Sequence, residues 1–170
     1  MLACPPGATA STISTRNPGD EAFIAAIYDV IKKARLVPAR YQGKEVEVVF
    51  QYRIQFVKKG DEQTLSLVAN PGYEENVDAY GSEHVAAQRL MRKETWQKSC
   101  PQQTRFVVLA KANVDYEGRP SAASIEHAEG IPITPRCESA LIQNLLDSRY
   151  IPAYADGEPV TSTFVEPFGN

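Results

Sequence analysis

The sequence predicts an α+β fold built from two repeated units, each packing helices on a mainly antiparallel sheet. Three observations predict it. The stretch "LVPARYQGKEVEVVF" from Leu36 returns as "YIPAYADGEPVTSTF" from Tyr150. Apolar residues recur at helical spacing before each copy. After each copy they recur at every second position.

The repeat holds at one offset. Pro38 and Pro152 lie 114 residues apart, and the same offset aligns Ala26/Ala140, Arg35/Arg149, Ala39/Ala153, Gly43/Gly157, Val46/Val160 and Phe50/Phe164. Ordinary composition gives about one or two identities in such a window. Internal duplication accounts for the excess.

In the first copy "ATASTIS" reads as a short strand, with no earlier strand to pair with it. Asp20 is a plausible N-cap, and Phe23, Ile24, Ile27, Ile31 and Ala34 form one apolar stripe. Pro38 prevents the helix from continuing, and Gly43 supplies the turn into the next strand. Val46, Val48, Phe50, Tyr52, Ile54 and Phe56 then alternate, predicting one long strand. "EQTLSLVAN" reads as its partner through the "KKGD" turn, placing Leu65 and Leu67 in the sheet beside Ile54 and Phe56. Leu67→Asp is then expected to bury a charge.

Between the copies, residues 70–81 read as a loop. "SEHVAAQRLMRKETW" reads as a helix capped by Ser82, with Val85, Ala86, Arg89, Leu90 and Trp96 on or near one face.

The second copy opens with a hairpin. Phe106, Val108, Ala110, Ala112 and Val114 alternate, "DYEGRP" turns the chain, and "SAASIE" returns it. Thr134 caps the next helix with Pro135 at its first position, and Leu141, Leu145 and Ser148 share a face. The order is strand, strand, helix, strand. The expected organisation is a first, incomplete unit over residues 1–60, a connecting strand and helix over 61–103, and a second unit over 104–170.

Composition excludes several classes. Hydrophobic residues at 43% and charged residues at 23% are ordinary for a globular chain. A net charge of −3 leaves no basic footprint for nucleic acid. No apolar run approaches the ~20 residues that span a bilayer. "MLACPPGATAST" is no secretion signal as it stands, so an exported form is expected to be a mature or trimmed chain.

Cys4, Cys100 and Cys137 fit no metal spacing. Cys100 and Cys137 read either as two buried thiols or as a disulfide of an oxidising compartment. Cys4 reads as a free terminal thiol or as the lipidated residue of a lipoprotein. His84 and His127 read as surface histidines, the acidic run at 74–78 as a solvated loop, and Cys137 as structural. No cofactor, no metal and no enzymatic activity is expected.

A helix, "PA", a few residues, "G-x-x-V", then an alternating strand ending in an aromatic resembles the C-terminal domain of TonB energy-transducer proteins. The hairpin before the second helix and the segments "NPGDEAF" and "AEGIPIT" fit that pattern. About 65 residues of the second copy and 45 of the first are covered. The membrane anchor, Pro-rich spacer and Tyr-Pro pair of those proteins do not occur here. The resemblance implies a periplasmic, Gram-negative location, with a membrane anchor in a full-length form.

It also implies recognition by strand addition, in which an extended segment of an outer-membrane receptor or another periplasmic protein pairs with a sheet edge. The matching edge is Val160, Thr161, Ser162, Thr163, Phe164 and Val165; Pro159 cannot donate a backbone hydrogen bond. The assembly is expected to be a monomer or a strand-exchanged homodimer. A second reading is an exported inhibitor or immunity-type protein that blocks an enzyme with the loop at 70–81.

Overall fold

The computed structural model describes Glu21, Ile24, Ala25, Ile27, Tyr28 and residues 37–100, 106–127 and 133–169. Cys4, "ATASTIS", the Asp20 cap and most of the stripe along 20–35 lie outside these residues. The chain divides into two compact units, Met1–Glu47 and Val48–Asn170.

In the first unit Glu21, Ile24, Ala25, Ile27 and Tyr28 are helical. Ile24 and Ile27 are half-buried while the other three are exposed, in keeping with the stripe. Strands β1 (Ala39–Tyr41) and β2 (Lys44–Val46) form an antiparallel hairpin with Ala39 opposite Val46 and Tyr41 opposite Lys44. Gln42 and Gly43 turn it with φ of 51° and 78°. A two-residue hairpin turn of type I′ needs both central residues in that left-handed region.

The second unit holds ten strands among the described residues. These are β3 (Val48–Val49), β4 (Arg53–Lys59), β5 (Glu62–Val68), β6 (Gln88–Leu90), β7 (Val107–Val114), β8 (Pro120–His127), β9 (Tyr150–Ile151), β10 (Ala153–Ala155), β11 (Glu158–Val160) and β12 (Ser162–Gly169). Its helices are α1 (Glu74–Tyr80) and α2 (Pro135–Leu146), with a 3-10 turn at Trp96–Lys98. Strands β10 and β11 pair Ala153 with Val160 and Ala155 with Glu158, and Asp156 and Gly157 turn with φ of 51° and 85°. Each of these positions lies 114 residues after its counterpart in the first hairpin. The two motifs fold to the same hairpin in the same register.

After the hairpins the copies part. The single long strand expected from Val46 to Phe56 is interrupted at Glu47 and broken again at residues 50–52. Strand β3 pairs with β6, whereas β4 pairs with β5, and a strand that changes partners must leave one ladder to enter the other. Ile54 stands opposite Leu67 and Phe56 opposite Leu65, the register expected from the "KKGD" turn. The expected burial is corrected. Leu65 and Leu67 are 39% and 46% exposed, because β4 and β5 form a two-stranded sheet of their own.

Two further expectations are corrected. Residues 82–96 are not a helix: Val85 bridges Tyr154, Ala86 N donates to Ala69 O at 2.9 Å, and Gln88–Leu90 forms the centre of the β3–β6–β9 sheet. Strand pairing on both sides overrides the helix-forming run of Ala86 to Met91. Residues 70–81 are not a loop throughout, since Glu74–Tyr80 is helical.

The three-stranded antiparallel sheet has the order β12–β7–β8. Phe106, Val108, Ala110, Ala112 and Val114 are all buried along one face. Helix α2 lies against it with Cys137, Leu141 and Leu145 wholly buried and Ser148 buried just beyond its end. The Thr134 side chain accepts from Cys137 N at 3.2 Å, and Pro135 occupies the first turn, where no N–H is needed. Trp96, Tyr150, Phe164 and Phe168 complete the core. Gly118 turns β7 into β8 with φ of 77°, and a side chain there would meet Tyr150 O at 2.0 Å. Only glycine fits that approach.

Cys100 and Cys137 form a disulfide, joining the 3-10 turn to the start of α2. Thiol titration of the denatured, unreduced chain is expected to find one free thiol of the three cysteines; three would overturn the bridge. Reduction is expected to lower stability by ~2–4 kcal/mol in urea titration, since the bridge closes a long loop. Leu67→Asp, by contrast, is expected to unfold within ~0.5 kcal/mol of wild type, because its side chain reaches water.

Candidate functional site: one closed edge and one open edge

A three-stranded sheet has two edges, and here they differ. Thr163 in β12 turns its backbone away from β7: its N–H donates to Asn76 Oδ1 at 3.0 Å and its carbonyl accepts from Asn76 Nδ2 at 2.7 Å. The Asn76 side chain is an amide, so it meets Thr163 as a neighbouring peptide group would. Asn76 is buried in the middle of α1. Antiparallel ladders alternate, so Thr161, Val165 and Pro167 also face outward. Thr161 O accepts from the Tyr80 hydroxyl at 2.6 Å, and Val165 O accepts from Gln51 Nε2 at 2.5 Å. Pro167 has no N–H to offer. Of the residues expected to form a receptive edge, Val160 lies in β11, while Ser162, Thr163, Phe164 and Val165 lie in β12. Ser162 and Phe164 turn inward to Val114 and Ala112. The edge exists, and the Thr163 N–H together with the carbonyls of Thr161, Thr163 and Val165 are engaged by the chain's own side chains.

The same alternation sets the other edge. Asn113, Lys111 and Leu109 of β7 turn toward β8 and pair with Ala122, Ser124 and Glu126. Ala123 and Ile125 therefore point their N–H and C=O groups outward. Ser121 is the extra residue of a bulge between Val114/Pro120 and Asn113/Ala122. Beyond it, no helix, strand or side chain among the described residues bonds to the outward groups of Ala123 and Ile125.

The sheet face away from α2 carries a charged cluster. Lys111 donates to the Tyr73 hydroxyl at 2.6 Å, pairs with Glu126 and lies 4.9 Å from the Tyr73 ring centre. Its pKa is raised, first by the hydrogen bond to Glu126 and then by that to Tyr73. A lysine so held stays protonated, which suits neither a nucleophile nor a base. A shallow cleft of about 200 Å³ opens beside it, lined by Tyr73, Glu75, Lys111, Ser124 and Thr163 among others.

A second charged cluster is buried. Arg89 Nε and Nη2 reach Glu166 at 2.7 Å each, and Nη2 also reaches Glu94 at 2.7 Å. Burial pushes the Glu166 carboxyl up while Arg89 holds it down. Burial lowers the Arg89 pKa, yet Glu166 and Glu94 together raise it above its ordinary value. Arg89 is 1% exposed, and Glu94 is the member of the cluster that reaches toward the surface.

His84 corrects a further expectation: it is buried, with Nδ1–H donating to Gly81 O at 2.7 Å. The His127 side chain, expected at the surface, lies outside the described residues; among the described residues no group of three or more His, Cys, Asp or Glu could hold an ion. No described helix is long and apolar enough to cross a membrane. Comparison with family models, curated proteins and solved structures finds no match for the chain.

Sequence reasoning missed Asn76, Tyr80 and Gln51. Their roles depend on contacts 87, 81 and 114 residues away. No local pattern announces such contacts.

Asn76→Ala leaves the Thr163 N–H and C=O without partners, at an expected cost of ~1–3 kcal/mol. Thr163 amide exchange should accelerate more than that of the ladder amides of Phe164. Glu166→Gln leaves Arg89 buried with one carboxylate and should cost ~3–5 kcal/mol in denaturant titration. The double variant Arg89→Met, Glu166→Leu should recover most of that loss.

Proposed function

We propose that the chain is a non-enzymatic protein-interaction module of the periplasm. It resembles the TonB energy-transducer C-terminal domain and binds an extended segment of a partner protein by strand addition, using the β8 edge. The asymmetry of edge protection carries this reading. Exposed edges invite pairing with other chains, and proteins guard the edges they do not use. Strand β12 is guarded by Asn76, Tyr80, Gln51 and Pro167. Strand β8 has neither proline nor lysine between Ser121 and His127, and the outward groups of Ala123 and Ile125 meet no partner among the described residues. The edge first expected, from Val160 to Val165, would have to shed three side-chain contacts before it could pair.

Further support comes from the order strand, strand, helix, strand, with the last strand beside the first, and from the shared hairpins at the 114-residue offset. The disulfide fits an oxidising compartment. The competing inhibitor reading draws less support, because Asn70 and Asn76 are buried and the segment is tied down at both.

A heptapeptide display selection on the wild type, repeated on Ala123→Pro, tests the proposal. Proline at 123 deletes an outward N–H without removing a bond to β7. Selected peptides should protect the Ala123 and Ile125 amides from exchange and lose binding to the variant. Peptides indifferent to Ala123→Pro, or protecting other amides, would overturn it.

A further inference from the structure

Resting on the strand-addition reading, we infer that the segment taken at β8 alternates apolar and basic residues. The side chains of β8 divide between two unlike faces. Ala123 and Ile125 lie on the α2 face, half-buried and packed against the core. Ala122, Ser124 and Glu126 lie on the opposite face, and all three are exposed. Side chains of an added strand stand beside those of β8 on the same face, whichever direction the strand runs.

On the α2 face the added side chains continue the core past Ala123 and Ile125, which β7 and α2 leave half-covered. Apolar groups there remove surface from water on both partners, whereas polar groups lose their hydration without gain.

The opposite face is acidic where the new strand would lie. Glu126 stands on β8 itself with its side chain 54% exposed, and Glu75 lines the adjoining cleft. The nearby cation, Lys111, sits one strand further in, already engaged by Glu126 and the Tyr73 hydroxyl. Among the described residues about this cleft, the carboxylates of Glu75 and Glu126 stand against the one ammonium of Lys111. A lysine or arginine on the added strand meets Glu126 across the strand pair, and its stem covers Ala122 and Ser124. An acidic residue there faces like charge.

The test uses the intact, oxidised protein and three labelled heptapeptides: one alternating valine and lysine, one alternating valine and glutamate, and the first with proline at its centre. Binding is read by fluorescence anisotropy and its site by amide exchange. The valine–lysine peptide is expected to bind at least about fivefold more tightly than the valine–glutamate peptide. Glu126→Gln should narrow that ratio and Glu126→Lys should reverse it, both variants melting as the wild type does. Equal affinities with protection of Ala123 and Ile125, or an order unchanged in Glu126→Lys, would overturn the charge preference and leave strand addition standing. Failure of both alternating peptides to protect those amides, or equal binding of the proline-centred peptide, would overturn strand addition itself.

Discussion

The buried contact between Arg89 and Glu166 is the constraint on which the second unit depends. Arg89 is the largest fully buried side chain described, and it enters the core from the middle strand of the β3–β6–β9 sheet. Glu166 meets it from β12, the outer strand of the other sheet. Desolvating two such ions costs several kcal/mol each, so the pair persists only with excellent geometry and further partners. Glu94 supplies one, and the Phe168 ring, 6.0 Å from the guanidinium carbon, supplies a weaker one. Glu94 also accepts from Trp96 Nε1 at 2.5 Å, and Trp96 packs edge-on against Phe168 at 5.3 Å. One cation thereby fixes two sheets and the 3-10 turn that leads to the disulfide.

The closed edge and helix α1 stabilise each other. Seven residues are too few for a helix to stand alone in water, and Tyr73 at its N-cap gives no side-chain hydrogen bond. Asn76 and Tyr80 dock the helix on β12, while Asn70 holds the chain on either side. Its side chain donates to Ser82 O and His84 O and accepts from Gly72 N. Arg53 adds a bond to Ser82 O from β4. Two asparagines thus convert a polar segment of weak helical tendency into a cover for a sheet edge.

This arrangement explains which parts of the fold were legible in the sequence. The β7–β8 hairpin, α2 and its Thr134 cap were readable because their burial, alternation and turn chemistry agree locally. The turns at Gly43 and Gly157 were readable for the same reason, whereas the short strands before them, Ala39–Tyr41 and Ala153–Ala155, were not expected. Residues 82–96 misled because Ala86, Ala87, Leu90 and Met91 favour a helix, whereas two ladders and the distant Glu166 claim the segment. Glu166 itself sits at an alternating position with Ser162, Phe164 and Phe168, so its face could be read but its partner could not. The candidate edge was legible as an edge. Its closure was not, because asparagine, tyrosine and glutamine carry no sequence sign of what they will bond.

Gln51 connects these points. The broken strand of the first copy places Gln51 where a residue in a continuous ladder would point its side chain along a sheet face. Instead the break at residues 50–52 frees it to donate to Val165 O. Val165 lies 114 residues later, the offset that also separates Gly43 from Gly157. The strand following the first hairpin therefore gives up its own continuity and helps close the strand following the second. Closing β12 in this way leaves β8 as the side of the three-stranded sheet where outward backbone groups meet no described partner. Under the proposed strand addition, a sheet guarded on one side alone among the described residues is directional: backbone pairing would be steered to Ala123 and Ile125, where the side chains on either face would discriminate between partners.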